Sequence, residues 1–123
     1  QNRCDINGVF HRMSAAPVIK DTRVLLPIRY VAAPLGATVD WNAKSKKVTI
    51  SLNGTVLELW INNNTAKVNG IAKPIDNQNA SVTPVIVPPG STMLPLRFIA
   101  ENLGCDVNWD PVKKEAIVTY PKI

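Results

Sequence analysis

Histidine is nearly absent from this chain, which has one, His11, in 123 residues, and cysteine occurs only twice, at Cys4 and Cys105. Neither cysteine stands at metal-ligand spacing from the other or from His11, so no metal site is expected. The lone imidazole has no acid placed to orient it, and nucleophilic catalysis finds no triad; catalytic residues are expected to be absent. Aromatic residues make up 6% of the chain, which is too few to interleave with the basic residues as a nucleic-acid stacking surface. Long apolar runs are missing as well. None approaches the ~20 residues of a spanning helix, so no membrane span is expected.

What is present describes a folded domain with a basic surface. Hydrophobic residues make up 46% of the chain and charged residues 19%, and the formal net charge is +5. Apolar residues recur periodically, which excludes low complexity, and the length suits a single domain over 1–123. The basic residues gather in small knots, Lys44, Lys46 and Lys47 and then Lys113 and Lys114, as exposed turn tips do. Such a surface suits an anionic partner, for example an acidic cell-wall or matrix polysaccharide. The chain begins with Gln1 and not with Met, the pattern left when a leader peptide is removed, so a secreted or cell-surface location is expected.

An internal repeat organises the sequence. Leu26-Pro27-Ile28-Arg29-Tyr30-Val31-Ala32-Ala33-Pro34-Leu35-Gly36 recurs as Leu94-Pro95-Leu96-Arg97-Phe98-Ile99-Ala100-Glu101-Asn102-Leu103-Gly104. At the same spacing Ala37-Thr38-Val39-Asp40-Trp41-Asn42 matches Cys105-Asp106-Val107-Asn108-Trp109-Asp110. Upstream, Ile6-Asn7-Gly8 echoes Val68-Asn69-Gly70, and Pro17-Val18-Ile19 echoes Pro84-Val85-Ile86. Repeat unit one runs from about 4 to 61 and unit two from about 65 to 123.

Each unit reads as strands flanking a short helix. Ile28, Val31, Ala32 and Leu35, and again Leu96, Ile99, Ala100 and Leu103, fall at i, i+3, i+4 and i+7, one apolar helical stripe. Gly36 and Gly104 stand where a helix exits through the left-handed conformation. The period then drops to two, which puts Val39 and Trp41, and Val107 and Trp109, on one strand face. The expected fold is α+β: one compact domain of two pseudo-equivalent β-α-β-β units sharing a core that includes Leu35, Trp41, Leu103 and Trp109. Unit one alone continues into a strand at 55–61, with a tight turn at 62–64 into 65–68.

The doubled stretch from Leu26-Pro27-Ile28-Arg29 to Leu35-Gly36-Ala37-Thr38-Val39-Asp40-Trp41, with its second copy from Leu94 to Trp109, resembles the copper amine oxidase N-terminal-like domain family. The resemblance covers nearly the whole chain and implies a noncatalytic extracellular module of bacterial surface and cell-wall proteins. It does not bring oxidase chemistry with it. That site needs several histidines and a modifiable tyrosine in an Asn-Tyr context, whereas Tyr30 and Tyr120 follow Arg29 and Thr119. No cofactor is expected.

Arg29 and Arg97, paired across the repeats near a helix start, read as fold-serving arginines more than as an anion site. Asp40, Asn42, Asn108 and Asp110 read as turn formers that need no calcium. Placing Leu57 and Leu59 inward turns Val56, Glu58 and Trp60 outward, and the matching register turns Ile117 outward; an exposed Trp and Ile suggest a contact surface. Because the second unit shows no counterpart of the strand at 55–61, an open sheet edge is expected. The segment Arg3, Cys4, Asp5, Ile6, Asn7 and Gly8 is expected to pair with a neighbouring copy. Cys4 and Cys105 are expected to form a disulfide within one chain or between neighbours, two free thiols being the alternative. The function these features suggest is a structural subunit that joins copies of itself head to tail into a filament or surface layer. The alternative is a module that binds cell-wall or matrix polysaccharide.

Overall fold

The computed structural model describes residues 3–6, 8–12, 18–20, 23–27, 32, 35–87, 90–112 and 115–120. Alternating apolar and polar residues build three sheets. The central one has the order β10-β11-β4-β3, from β3 (Val18–Lys20), β4 (Arg23–Pro27), β10 (Val85–Val87) and β11 (Ser91–Pro95). A second has the order β5-β6-β7-β8-β9, from β5 (Thr38–Asn42), β6 (Lys47–Leu52), β7 (Thr55–Trp60), β8 (Thr65–Val68) and β9 (Ile71–Pro74). The third has the order β12-β13-β1-β2, from β1 (Arg3–Ile6), β2 (Val9–Arg12), β12 (Asp106–Asp110) and β13 (Glu115–Thr119). One helix, α1 (Leu96–Leu103), is complete among the described residues.

The architecture corrects the expected α+β class: the described residues are mostly β, three sheets with one short helix, and not a balanced α+β fold. The physical reason lies at the Asn-Gly dipeptides. Asn69 and Gly70 both take positive φ, 51° and 81°, and reverse the chain into β9 straight after β8. Gly8 takes φ 84° in the matching turn from β1 to β2. Short strands thus follow both Asn-Gly turns.

The stripe Leu96, Ile99, Ala100 and Leu103 is buried, as its spacing predicts, together with Phe98. Gly104 ends the helix in the left-handed region at φ 82°, and Cys105 N–H donates back to the Ala100 carbonyl at 2.8 Å. The first unit repeats this exit: Gly36 has φ 87° and Ala37 N–H donates to the Ala32 carbonyl at 3.1 Å. Arg29, and Ile28 and Val31 of the first helical stripe, lie outside the described residues.

Register shows how the two repeats meet. β4 and β11 pair antiparallel with Leu25 opposite Pro95, Leu26 opposite Leu94 and Pro27 opposite Met93. Leu26 and Leu94 are the same position of the repeat, so a pseudo-twofold axis passes between them. All of Leu25, Leu26, Met93 and Leu94 are at most 1% exposed. The β5–β6 and β12–β13 pairs obey the same symmetry, with Val39 opposite Ile50 and Val107 opposite Val118. Each outer sheet mixes the units. β5, β6 and β7 of unit one are joined by β8 and β9 of unit two, while β12 and β13 of unit two are joined by β1 and β2 of unit one.

Truncating either central leucine removes contacts from both units at once. Leu26→Ala and Leu94→Ala should each destabilise by about 2–5 kcal/mol in urea melts. Ile19→Ala, at a side chain that is 52% exposed, should change stability by less than about 0.5 kcal/mol.

Candidate functional site

The structure redistributes the residues that the sequence singled out. β1 is an interior strand of its own sheet, antiparallel to β2 and parallel to β13, with Cys4 opposite Ala116 and Asp5 opposite Ile117. Within the single chain, Arg3, Cys4, Asp5 and Ile6, the segment expected to pair with a neighbouring copy, thus pair with β13 and β2. Asn7 lies outside the described residues, and Gly8 is exposed in the turn. The within-chain form of the expected Cys4–Cys105 bond does not fit the strand positions. Cys4 is level with Ala116 and Trp109, whereas Cys105 precedes Asp106, which is level with Thr119. Two strand spacings and four residues of rise separate the two Cα atoms by about 16 Å, and a disulfide spans no more than about 7 Å. Cys105 is a free, buried thiol, and burial raises its pKa.

The outward register of β7 and β13 holds, with Leu57 and Leu59 fully buried and Val56 and Ile117 each 36% exposed. Trp60 and Ile117 nevertheless lie in different sheets, and the structure does not gather them into one patch. Trp60 is half-buried beside the Asn62, Asn63 and Asn64 turn. Trp41 is corrected from core to surface: it is 46% exposed, because no described element covers its face of β5, whereas Trp109 on the equivalent strand β12 packs against the core. Leu103 is buried, and Leu35 and Trp109 pack partly buried against the core. The turn residues act locally. Asn42 Oδ1 accepts from the Lys44 and Ser45 N–H groups at 3.0 and 3.1 Å, and its repeat equivalent Asp110 accepts from Val112 N–H at 3.0 Å.

A groove arises where the repeats differ. Between β2 and β3 the chain spends residues 13–17, but between β9 and β10 it spends 75–84. The longer connection is held down by Ile75, Val82 and Pro84, all buried. Ile75 N–H donates to the Asn64 carbonyl at 2.9 Å, and Asn64 Nδ2 donates to the Ala80 carbonyl at 3.1 Å. Asp76 closes the loop on itself, accepting from Gln78 and Asn79 N–H at 2.9 and 3.1 Å. Its carboxylate also receives Nε and, at 3.4 Å, a terminal nitrogen of Arg23 on β4. The guanidinium, followed by the Gln78 N–H, holds the Asp76 pKa below its usual value.

This loop forms one wall of a groove of about 780 Å³, with α1 as the other wall and Trp109 of β12 lining it. Lys73, Arg97 and Glu101 also line it, and none of the three has an ion-pair partner among the described residues. Sequence reasoning found Arg97 and Trp109 as separate fold residues. It missed Lys73, Asp76 and the groove itself; the signal available was the extra length of unit two between its Asn-Gly turn and Pro84.

The repeat, its register and the strand pairs above extend over most of the chain, and the copper amine oxidase N-terminal domain model matches residues 5–118. The chain belongs to this family. In copper amine oxidases the domain is a noncatalytic accessory domain. Comparison with curated proteins and with solved structures finds no match. Within this family fold, no helix among the described residues is long and apolar enough to cross a membrane.

The Arg23–Asp76 pair makes the groove loop sensitive to acid. A carboxylate whose folded pKa lies below its usual 3.8 adds stability above that value and loses it as pH falls through the folded pKa. Urea midpoints measured from pH 6 down to about pH 2 should fall more steeply for the native chain than for Asp76→Asn. The gap between the two, about 1–2 kcal/mol at pH 6, should close at the acid end.

Proposed function

We propose that the protein is a secreted, noncatalytic structural subunit that joins copies of itself head to tail by trading the β1–β2 hairpin between neighbouring chains. What supports this reading is the make-up of the outer sheets. In one, the turn at residues 61–64 delivers β8 and β9 to β7 by direct covalent continuity. In the other, the equivalent hairpin β1–β2 reaches β13 from the opposite end of the repeat order. The backbone bonds of the β13–β1 joint are the same whether the hairpin comes from its own chain or from the next. Pairing within a chain closes the two units on each other. Pairing between chains leaves an unfilled β13 edge at one end and a free hairpin at the other, so the contact repeats without closing.

The strand directions fit this account. β6 and β8 run parallel on either side of β7, and β13 and β1 run parallel in direct contact. The hairpin therefore docks in the same orientation in both outer sheets. Placement outside the cell comes from the resemblance to exported surface modules. The single histidine and the scattered acids support a noncatalytic role.

A crosslink across the joint tests the reading. With Cys4 and Cys105 changed to Ser, cysteines at the opposed positions Asp5 and Ile117 should trap whichever pairing exists. At high protein concentration, non-reducing gels should show a ladder of multimers. A monomer crosslinked to itself at every concentration would overturn the proposal.

A further inference from the structure

We infer that the groove between α1 and the 75–84 loop is a binding site for an acidic oligosaccharide, with Lys73 and Arg97 taking the carboxylates and Trp109 supporting a sugar ring. The inference is independent of assembly, because it uses neither the β13 edge nor the β1–β2 hairpin.

Three observations carry it. One wall of the groove is the longer connection of unit two, an addition to the shared repeat, and that connection is pinned by buried side chains and by Asp76. A site held rigid before binding loses little on ordering its ligand. The charges are then set unevenly. Arg23 and Asp76 neutralise each other, while Lys73 and Arg97 stay exposed and without ion partners among the described residues, against one carboxylate, Glu101. The chain as a whole carries +5, which favours approach of an anion. Finally, the half-buried Trp109 offers the apolar plate on which the C–H face of a pyranose packs. The amides of Asn77 and Gln78 on the loop wall supply donors and acceptors for hydroxyl groups.

Isothermal titration with oligogalacturonate tests the inference, with its uncharged methyl ester and poly-glutamate as comparisons. The acid should bind, and its affinity should fall with rising salt. Lys73→Ala and Arg97→Ala, both at exposed positions that leave the fold intact, should each weaken binding about tenfold, the worth of one charge-assisted hydrogen bond. Lys67→Ala, on the exposed face of β8 and outside the groove, should leave the affinity unchanged. Trp109→Phe should weaken binding of the acid and the ester alike. No binding of oligogalacturonate would overturn the site. Equal binding of the ester would overturn the charge recognition, and equal binding of poly-glutamate the sugar recognition. A loss for Lys67→Ala as large as for Lys73→Ala would reduce the effect to surface charge and overturn the groove.

Discussion

The pairing of β4 with β11 is the constraint on which the other elements depend. It places two copies of one sequence position, Leu26 and Leu94, opposite each other with no solvent exposure. A repeat unit of this size cannot bury its own helix stripe, and burial across the pseudo-twofold axis supplies the missing half of the core. Each leucine precedes the proline that ends its strand, and in the second unit that proline, Pro95, immediately precedes α1. The helix therefore leaves the central sheet at a point set by the pairing, and it packs back on β4, β7, β11 and β12.

Symmetry at the centre has a consequence at the periphery. Once the two units face each other, the hairpin that opens each unit falls beside the strand pair that closes the other. β8 and β9 complete the sheet of β5 and β6, and β1 and β2 complete the sheet of β12 and β13. The two completions differ by one strand, since β7 intervenes in the first and nothing intervenes in the second. The shared core requires only that each hairpin be present. Both hairpins supply the same two strands to the sheet that they complete.

Departures from the repeat are where chemistry accumulates. The 75–84 connection brings Asp76 to Arg23, raises a wall beside Trp109 and leaves Lys73 and Arg97 facing solvent across a groove. Residues that keep the repeat serve the fold: Gly104 ends α1, Gly36 takes the same left-handed conformation, and Asn42 and Asp110 close the same turn in both units. The contrast between Trp41 and Trp109 makes the same point. They occupy the same repeat position on edge strands, yet one stands 46% exposed while the other packs against the core.

The sequence alone determined the repeat, the family, the apolar helix stripe with its glycine exit, and the inward register of β6 and β7. All of these are written in local periodicity, which neighbouring residues express without knowledge of the rest of the chain. It misled on fold class, because a hairpin of four-residue strands around Asn-Gly carries too few residues for a period-two signal. It misled on Trp41, and on the cysteines within one chain, for a different reason. A strand face says which way a side chain points, not whether another element covers it, nor how far along a sheet two faces lie. Only the tertiary structure decided that β1 is an interior strand, that Cys4 and Cys105 stand apart, and that Lys73, Arg97 and Trp109 share one groove. Those outcomes depend on pairings between residues far apart in sequence, where the deciding energy is burial shared by both partners and visible in neither alone.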